Sequence, residues 1–187
     1  MKRSEIRQHI IQTAADLFYA NGYNATGINE IIAEAGIAKA TLYHHFKSKE
    51  DICIAYLKYK NDFFLKTIKN FIATKPKGKV QLLGIFDFLK EFYKEPNFSG
   101  CWCIRTIAEI PADNITIRRE IQCQKNELIC FLNQVVSHNV PNISNNAGKK
   151  LAKSLYLLYE SAVSESHLHG NDWPIHAAKN IGKQLIA

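Results

Sequence analysis

The sequence TGINEIIAEAGIAKATLYHHFKSKEDI, residues 26–52, predicts two short helices that are joined by a tight turn. The turn lies at Ala35-Gly36-Ile37, where Gly36 can adopt backbone angles that other residues rarely reach. We expect four apolar side chains to pack where the two helices meet: Ile31, Ile32, Ile37 and Leu42. This pattern is typical of a helix-turn-helix, a unit that can place its second helix in the major groove of DNA.

The surface of the second helix carries side chains that suit contact with DNA. Its outward-facing positions are small or polar: Lys39, Ala40, Thr41 and His44. Ala40 allows the helix to approach base edges closely, and its methyl group can touch that of thymine. Tyr43 and Lys49 can reach phosphates, and the helices that begin near Thr26 and Lys49 offer free N–H groups to them. The hydroxyl of Thr26 is also placed to cap its helix.

The rest of the chain repeats apolar residues at helical spacing, and no segment alternates as a half-buried strand does. One helix ends at Asn21-Gly22, and Ser48 precedes another that runs from Lys49 to about Ile72. Further helices are predicted over these ranges: 80–93, 101–110, 113–137, 144–169 and 173–186. The sequence therefore predicts an all-α fold.

The composition excludes several classes of protein. The 187 residues are 47% hydrophobic and 22% charged, which indicates a globular protein rather than a disordered or collagen-like one. No apolar run reaches the roughly 18 residues that cross a bilayer, and no signal peptide follows Met1, so we expect a cytoplasmic protein without a membrane partner.

Charge alone does not decide the partner. The net charge of +7 permits a polyanion, but residues 1–50 contain six basic and five acidic residues. DNA binding by this region must therefore depend on where the charges lie. Arg3 and Arg7 are candidates, because N-terminal arms often reach the DNA backbone or the minor groove.

An ordered set of positions extends the motif in both directions. It comprises Ala14-Ala15-Asp16-Leu17-Phe18, Asn21-Gly22-Tyr23, Thr26, Ile31, Ala35-Gly36-Ile37, Lys39, Thr41-Leu42-Tyr43-His44-His45-Phe46 and Ser48-Lys49-Glu50. With this set, residues 4–60 resemble the tetracycline-repressor (TetR/AcrR) family of bacterial transcription regulators. Two positions depart from the family pattern: Ala38, where a capping Ser or Thr is usual, and Ala40, where Gly is frequent. The missing cap at Ala38 costs about 1 kcal/mol of helix stability.

The resemblance implies a homodimer with two functional domains. Residues 1–48 would form a three-helix DNA-binding domain, and residues 49–187 a larger helical domain for ligand binding and dimerisation. The last two helices, about residues 144–186, would pair across the dimer. The resemblance implies that six residues face a double-stranded, palindromic operator: Thr26, Lys39, Thr41, Tyr43, His44 and Lys49.

Several residues lie where the family has a ligand cavity. We expect a small hydrophobic or amphipathic effector to contact some of them: Phe64, Phe86, Tyr93, Trp102 and Arg105. The alternative is that most of the aromatic residues only fill the core. The resemblance thus implies a ligand-responsive transcriptional regulator, and we expect a repressor that an inducer releases from its operator.

The segment Cys101-Trp102-Cys103 suggests a different kind of control. A thiol at a helix N-terminus gains thiolate character, so Cys101 is a candidate redox-sensitive residue, although cysteine is also common in protein cores. The alternative function is therefore a DNA-binding regulator that responds to thiol oxidation or to a protein partner, without a small-molecule ligand.

Patterns typical of enzymes and of metal sites are not found in the sequence. There is no P-loop, dinucleotide-binding or zinc-protease motif, so we expect no enzyme, no catalytic residues and no cofactor. Four residues near the C-terminus do not match the spacing of a metal site, so we expect no metal either: Glu165, His167, His169 and His176.

Overall fold

The computed structural model of the protein describes residues 2–186 and contains nine α-helices, without β-strands, in that part of the chain. The helices are α1 Arg3–Asn21, α2 Ile28–Glu34, α3 Lys39–His45, α4 Lys49–Ala73, α5 Lys79–Tyr93, α6 Trp102–Glu109, α7 Ile115–Asn139, α8 Asn145–His169 and α9 Trp173–Leu185. The predicted all-α fold is confirmed. No helix between residues 2 and 186 combines the length and the apolar character needed to cross a membrane.

Local signals in the sequence set the ends of several helices. α1 stops at Gly22, whose φ of +93° leaves the helical region and whose N–H donates to the Phe18 carbonyl at 3.0 Å. Ser48 lies before α4, and its hydroxyl accepts a hydrogen bond from the Asp51 N–H at 3.1 Å. Ser144 caps α8 in the same way, through the Ala147 N–H at 3.3 Å.

The chain packs into two compact units. Unit 1 comprises the residues up to Phe63 together with Trp102–Gln124, and unit 2 comprises Phe64–Cys101 together with the chain from Lys125 onwards. The long helices α4 and α7 each contribute residues to both units. The predicted boundary after residue 48 separates DNA binding from ligand binding and dimerisation. The packing units do not test this division of function, so it stays a prediction.

Unit 1 is built on the apolar face of α1. Ile10 and Ala14 of α1, Ile31 of α2 and Leu42 of α3 are fully buried. The predicted packing of the helix-turn-helix is therefore observed for Ile31 and Leu42, whereas Ile32 and Ile37 are half-buried at its edge.

Within unit 1, α6 holds the end of α1 and the loop that follows it. The Arg105 guanidinium donates to the backbone carbonyl of Tyr19, and also to that of Ala20 at 3.4 Å. A Glu109 carboxylate oxygen accepts the Asn24 N–H at 2.7 Å, and the Asn24 amide donates to the Glu109 carbonyl at 2.7 Å. These bonds join α6 directly to the segment from which α2 and α3 extend.

Unit 2 packs α5, α8 and α9 around an apolar core. α9 approaches α5 closely at Gly182, where a Cβ would lie 3.1 Å from the Phe86 ring and 3.2 Å from Leu83. Both faces of α8 and α9 carry apolar residues. Leu155 and Ile175 are buried, while another set is exposed: Leu157, Leu168, Trp173, Ile181 and Leu185.

Candidate nucleic-acid interface

The turn between α2 and α3 depends on Gly36. Its φ of +60° lies in the left-handed region that glycine adopts without steric cost. The turn is closed by two backbone hydrogen bonds, from the Gly36 N–H to the Ala33 carbonyl at 3.1 Å and from the Ile37 N–H to the Ile32 carbonyl at 3.2 Å. This geometry fixes the direction in which α3 leaves α2.

The outer face of α3 is open to solvent, as the sequence predicts. Lys39, Ala40 and His44 are exposed, Tyr43 is 44% exposed, and Thr41 is half-buried. Leu42 holds the opposite face of the same helix in the core. Ala38 occupies the N-cap position without a side-chain hydrogen bond, as expected from the missing Ser or Thr. A helix with one anchored face and one small, polar face can enter a groove of DNA.

Lys49, predicted to contact phosphate, lies at the first position of α4. Its ammonium group is 4.3 Å from the centre of the Tyr23 ring, a favourable cation–π distance. Partial burial lowers the pKa of Lys49, although the nearby Cys53 and Glu109 act in the opposite direction. The Tyr23 ring therefore positions this cation beside the N-terminus of α4.

Positive groups gather at the C-terminal end of α3. The Arg7 guanidinium lies 4.9 Å from the centre of the Phe46 ring, which is the residue after α3. The pKa of His45 is lowered by desolvation and then by the positive charges of His44, Arg3 and Arg7. Arg3 and Arg7 are both exposed, so this end of the helix-turn-helix presents a cationic surface.

Thr26 differs from its predicted placement. The cap prediction is wrong: α2 has Gly27 at its N-cap, and the buried Thr26 hydroxyl donates instead to the Gly22 carbonyl at 2.8 Å and to the Leu17 carbonyl at 3.3 Å. These bonds satisfy the end of α1. The predicted DNA contact of Thr26 stays a prediction, and with its side chain buried it would have to be made by the backbone.

The predicted effector-contacting residues fall in both units. Phe64 and Phe86 of unit 2 are buried, with ring centres 6.3 and 6.4 Å from that of Tyr159, and Tyr93 lies 5.2 Å from the Phe98 ring. Trp102 of unit 1 is buried, and its ring centre lies 5.8 Å from the Lys60 ammonium. Arg105 makes the carbonyl contacts described above. The role of all five in ligand binding stays a prediction.

Unit 2 contains a cluster of ionisable groups that the sequence did not predict. The Lys125 ammonium of α7 lies 3.0 Å from the Cys101 sulfur and 2.7 Å from a Glu160 carboxylate oxygen on α8. Desolvation raises the pKa of Glu160 to about 7, with a further contribution from Cys101, while Lys125 acts in the opposite direction. The signal that could have revealed this region is the polar Tyr159 and Ser166 within the apolar face of α8. Among the described residues, no group of three or more metal-ligating side chains could hold a metal ion.

Comparison with known protein families gives a match to the N-terminal part of the chain. Residues 10–56 match the family described as "Bacterial regulatory proteins, tetR family". The N-terminal part of the chain, from α1 into α4, is therefore similar to the TetR family. This family consists of regulatory proteins rather than enzymes, as the sequence led us to expect.

Some relatives match only the N-terminal part of the chain, and others match nearly all of it. The HTH-type transcriptional regulator YxaF of Bacillus subtilis is 43% identical over 58 residues, which are 30% of this chain and 30% of that protein. The chain spans less than half the length of this and several other curated relatives. The HTH-type transcriptional repressor NemR of Escherichia coli is 22% identical over 188 residues, covering 98% of this chain and 94% of NemR.

Crystal structures of two TetR-fold proteins match nearly the whole chain. SCO4454, a TetR-family transcriptional regulator from Streptomyces coelicolor, superposes with a TM-score of 0.87 at 23% identity and covers 99% of this chain and 90% of that one. The reduced form of E. coli NemR superposes with a TM-score of 0.85 at 21% identity, covering 98% and 97%. These likenesses confirm the predicted fold of an N-terminal helix-turn-helix followed by a larger helical region.

Proposed function

We propose that this chain is a ligand-responsive transcriptional repressor of the TetR family. It binds a palindromic, double-stranded operator as a homodimer in the cytoplasm and leaves the operator when a small hydrophobic or amphipathic inducer binds. The observation that carries the proposal is the exposed, small and polar face of α3, held in place by the buried Leu42. The alignment with NemR, a protein named as a repressor, over 98% of this chain supports repression, whereas FasR of Mycolicibacterium smegmatis, 30% identical over 94 residues, is named as an activator.

DNA recognition divides between base edges and phosphates. Lys39, Ala40 and His44 on the exposed face of α3 meet the base edges in the major groove. Tyr43 and Lys49, with the free N–H groups at the start of α4, bind the flanking phosphates. Phosphate contacts fix the register of the helix, and base contacts select the sequence.

Dimerisation uses the exposed apolar face of α8 and α9. Leu157 and Leu168 of α8 and Trp173, Ile181 and Leu185 of α9 are each at least 45% exposed. Exposed large apolar side chains on two neighbouring helices favour a protein interface. A two-fold axis there would present two α3 helices to half-sites about 34–36 Å apart.

An inducer acts by binding one arrangement of the dimer better than the other. The buried aromatic rings of Phe64 and Phe86 in unit 2 support an apolar site, which needs only a few polar groups to orient its ligand. Coupling is reciprocal, so an inducer that weakens operator binding is itself bound more weakly by the operator-bound dimer.

The decisive experiment is selection of binding sites from random double-stranded DNA, followed by gel retardation of the selected fragments. We expect an inverted repeat in the selected sites and a dimer on each fragment. Tyr43→Phe and Lys49→Ala should weaken binding to all fragments alike, and Lys49→Ala should reduce the salt dependence by about one counterion. His44→Ala should change the preference among fragments. Lys66→Ala, an exposed change on α4 outside the helix-turn-helix, is the control. Failure to retard any fragment at low salt would contradict the proposal.

A second candidate function is control by oxidation of Cys101. The observation that favours it is the Lys125 ammonium 3.0 Å from the Cys101 sulfur, because a neighbouring cation stabilises a thiolate. The thiolate would attack one oxygen of a peroxide, the O–O bond would break, and a sulfenic acid would form while hydroxide leaves. Hydrogen peroxide should then reduce operator binding by the wild type and not by Cys101→Ser. Cys130→Ser, which changes an exposed cysteine, should respond like the wild type. Unchanged binding by the oxidised wild type would exclude this control.

A further inference from the structure

Two buried polar atoms on neighbouring residues of α8 have no hydrogen-bond partner within the part of the chain that the structure describes. They are the hydroxyl of Tyr159 and the Oε2 atom of Glu160. The Tyr159 side chain is only 3% exposed, so bulk water does not reach it. Leaving such groups unpaired is unfavourable and uncommon in folded proteins. A pair of them at one place therefore indicates a missing partner.

The two groups belong to consecutive residues of α8 in unit 2 and interact electrostatically. The charge of Glu160 and the Cys101 thiol both add to the effect of burial in raising the pKa of Tyr159, so the three groups lie within electrostatic reach of each other. The rings of Phe64 and Phe86 flank the Tyr159 ring. The unpaired atoms thus lie at a polar end of an otherwise aromatic environment.

Above about pH 7, where Glu160 is ionised, the charges of this cluster balance. Lys125 is paired with Glu160 through the other carboxylate oxygen, Oε1, at 2.7 Å, and the two side chains are 17% and 16% exposed. A charged ligand would add a charge that no described side chain of the cluster neutralises, and such burial is strongly unfavourable. The electrostatics therefore favour a neutral ligand.

A hydroxyl group meets both requirements. A hydroxyl can donate to Glu160 Oε2 and accept from the Tyr159 hydroxyl at the same time. We propose that Tyr159 and Glu160 form the polar end of a binding site for a neutral aromatic alcohol, such as a phenol, whose ring packs beside Phe64 and Phe86. This inference rests on the proposed function in one respect, because it names the chemistry of the effector and the residues that recognise it.

The test measures ligand binding without DNA, so that its result is independent of operator binding. Purified full-length protein is titrated against 4-fluorophenol and 4-fluorotoluene, with the fluorine NMR signal of each probe as the readout. The two probes have nearly the same shape and differ by a hydroxyl or a methyl group. We expect the wild type to prefer 4-fluorophenol by about tenfold or more, because a site with buried polar groups rejects an analogue that leaves them unpaired.

Tyr159→Phe is the informative variant. It removes a hydroxyl that has no partner, so it should leave thermal unfolding unchanged or slightly raise its midpoint. The preference for 4-fluorophenol should fall at least severalfold in this variant. Glu160→Gln, which keeps the shape and changes the acceptor, should lower it as well. Tyr59→Phe, a hydroxyl removed from α4 in unit 1, should keep the preference of the wild type.

Three results would overturn the inference. The first is that neither probe binds, the second is that both probes bind equally, and the third is that Tyr159→Phe keeps the wild-type preference. Each of these would assign the two polar atoms to buried water instead of a ligand. The proposed function fails by a different result, namely the absence of any retarded DNA fragment.

Discussion

The carboxyl group of Glu160 predicts an unusual dependence of stability on pH. Burial raises its pKa from the ordinary value of 4.5 to about 7 in the folded protein. Between these two values the folded chain binds this proton and the unfolded chain has released it. The unfolded state then binds fewer protons than the folded one, so stability must fall as the pH rises through this range. Below about pH 4.5 the carboxyl group no longer distinguishes the two states.

The size of the effect follows from the difference between the two pKa values. A difference of about 2.5 units corresponds to about 3 kcal/mol, since each unit is worth 1.36 kcal/mol. The Glu160 side chain is only 16% exposed, so screening by solvent reduces this figure little. The wild type should therefore lose about 3 kcal/mol of its free energy of unfolding between pH 4.5 and pH 8, relative to a variant without this carboxyl group.

The assay is urea denaturation of the wild type and of Glu160→Gln at pH 5, 6, 7 and 8, followed by circular dichroism. The difference between the two free energies of unfolding should shift in favour of the variant as the pH rises. Glu91→Gln is the matched control, because Glu91 also pairs with a lysine, Lys94 at 2.8 Å, but both side chains are 57% exposed. Its difference from the wild type should stay within about 1 kcal/mol at every pH. A pH-independent difference for Glu160→Gln would refute the reasoning.

Three further predictions concern the turn at Gly36, the contact between Glu109 and Asn24, and the proposed dimer. Gly36→Ala should cost about 1 kcal/mol of unfolding free energy because φ is +60° there. Gly148→Ala, inside α8 where φ is ordinary and the nearest atoms lie 3.8 Å from an added Cβ, should be neutral or stabilising; equal thermal shifts would contradict this. Glu109→Ala should cost about 1–2 kcal/mol in urea denaturation, because the Asn24 N–H loses its charged acceptor at 2.7 Å; an unchanged midpoint would show that water replaces it. Ile181→Asp should convert the dimer into a monomer in light scattering, because Ile181 is 45% exposed on the apolar face of α9; a persistent dimer would place the interface elsewhere.

The sequence was sufficient to predict the structural features that depend on residues close together in the chain. The helices are set by apolar spacing, and their ends by residues such as Gly22, Gly36 and Ser48, whose conformations or hydrogen bonds act within one turn. The exposed face of α3 follows from the same local pattern once Leu42 is placed in the core. Thr26 shows the boundary of this reasoning. Its hydroxyl could accept an N–H at the start of α2 or donate to carbonyls at the end of α1, and the sequence alone did not show that the second arrangement would occur.

The contacts that define unit 2 depend on residues far apart in the chain. Lys125 and Glu160 are separated by 35 positions, and no periodic pattern predicts that their side chains meet. Arg105, which the resemblance suggested as a ligand contact, also has partners that the sequence did not predict. Its observed partners, the carbonyls of Tyr19 and Ala20, lie more than 80 positions away.

Cys101 lies where the chain passes from unit 2 to α6 of unit 1, so a change at this residue could affect the helix-turn-helix. Cys101 ends the first segment of unit 2, and the next residue, Trp102, begins the segment of unit 1 that contains α6. We expect a rearrangement at Cys101, whether caused by a bound ligand or by oxidation, to displace the start of α6, because the two are adjacent in the chain. α6 in turn holds Asn24 through Glu109, just before the helix-turn-helix. Glu109→Ala removes the carboxylate part of this connection, keeps the bond from the Asn24 amide to the backbone carbonyl, and lies outside unit 2. We therefore expect it to keep effector binding while weakening the effect of the effector on operator affinity. Full retention of that effect would show that the signal travels instead along α4, which also passes from one unit to the other.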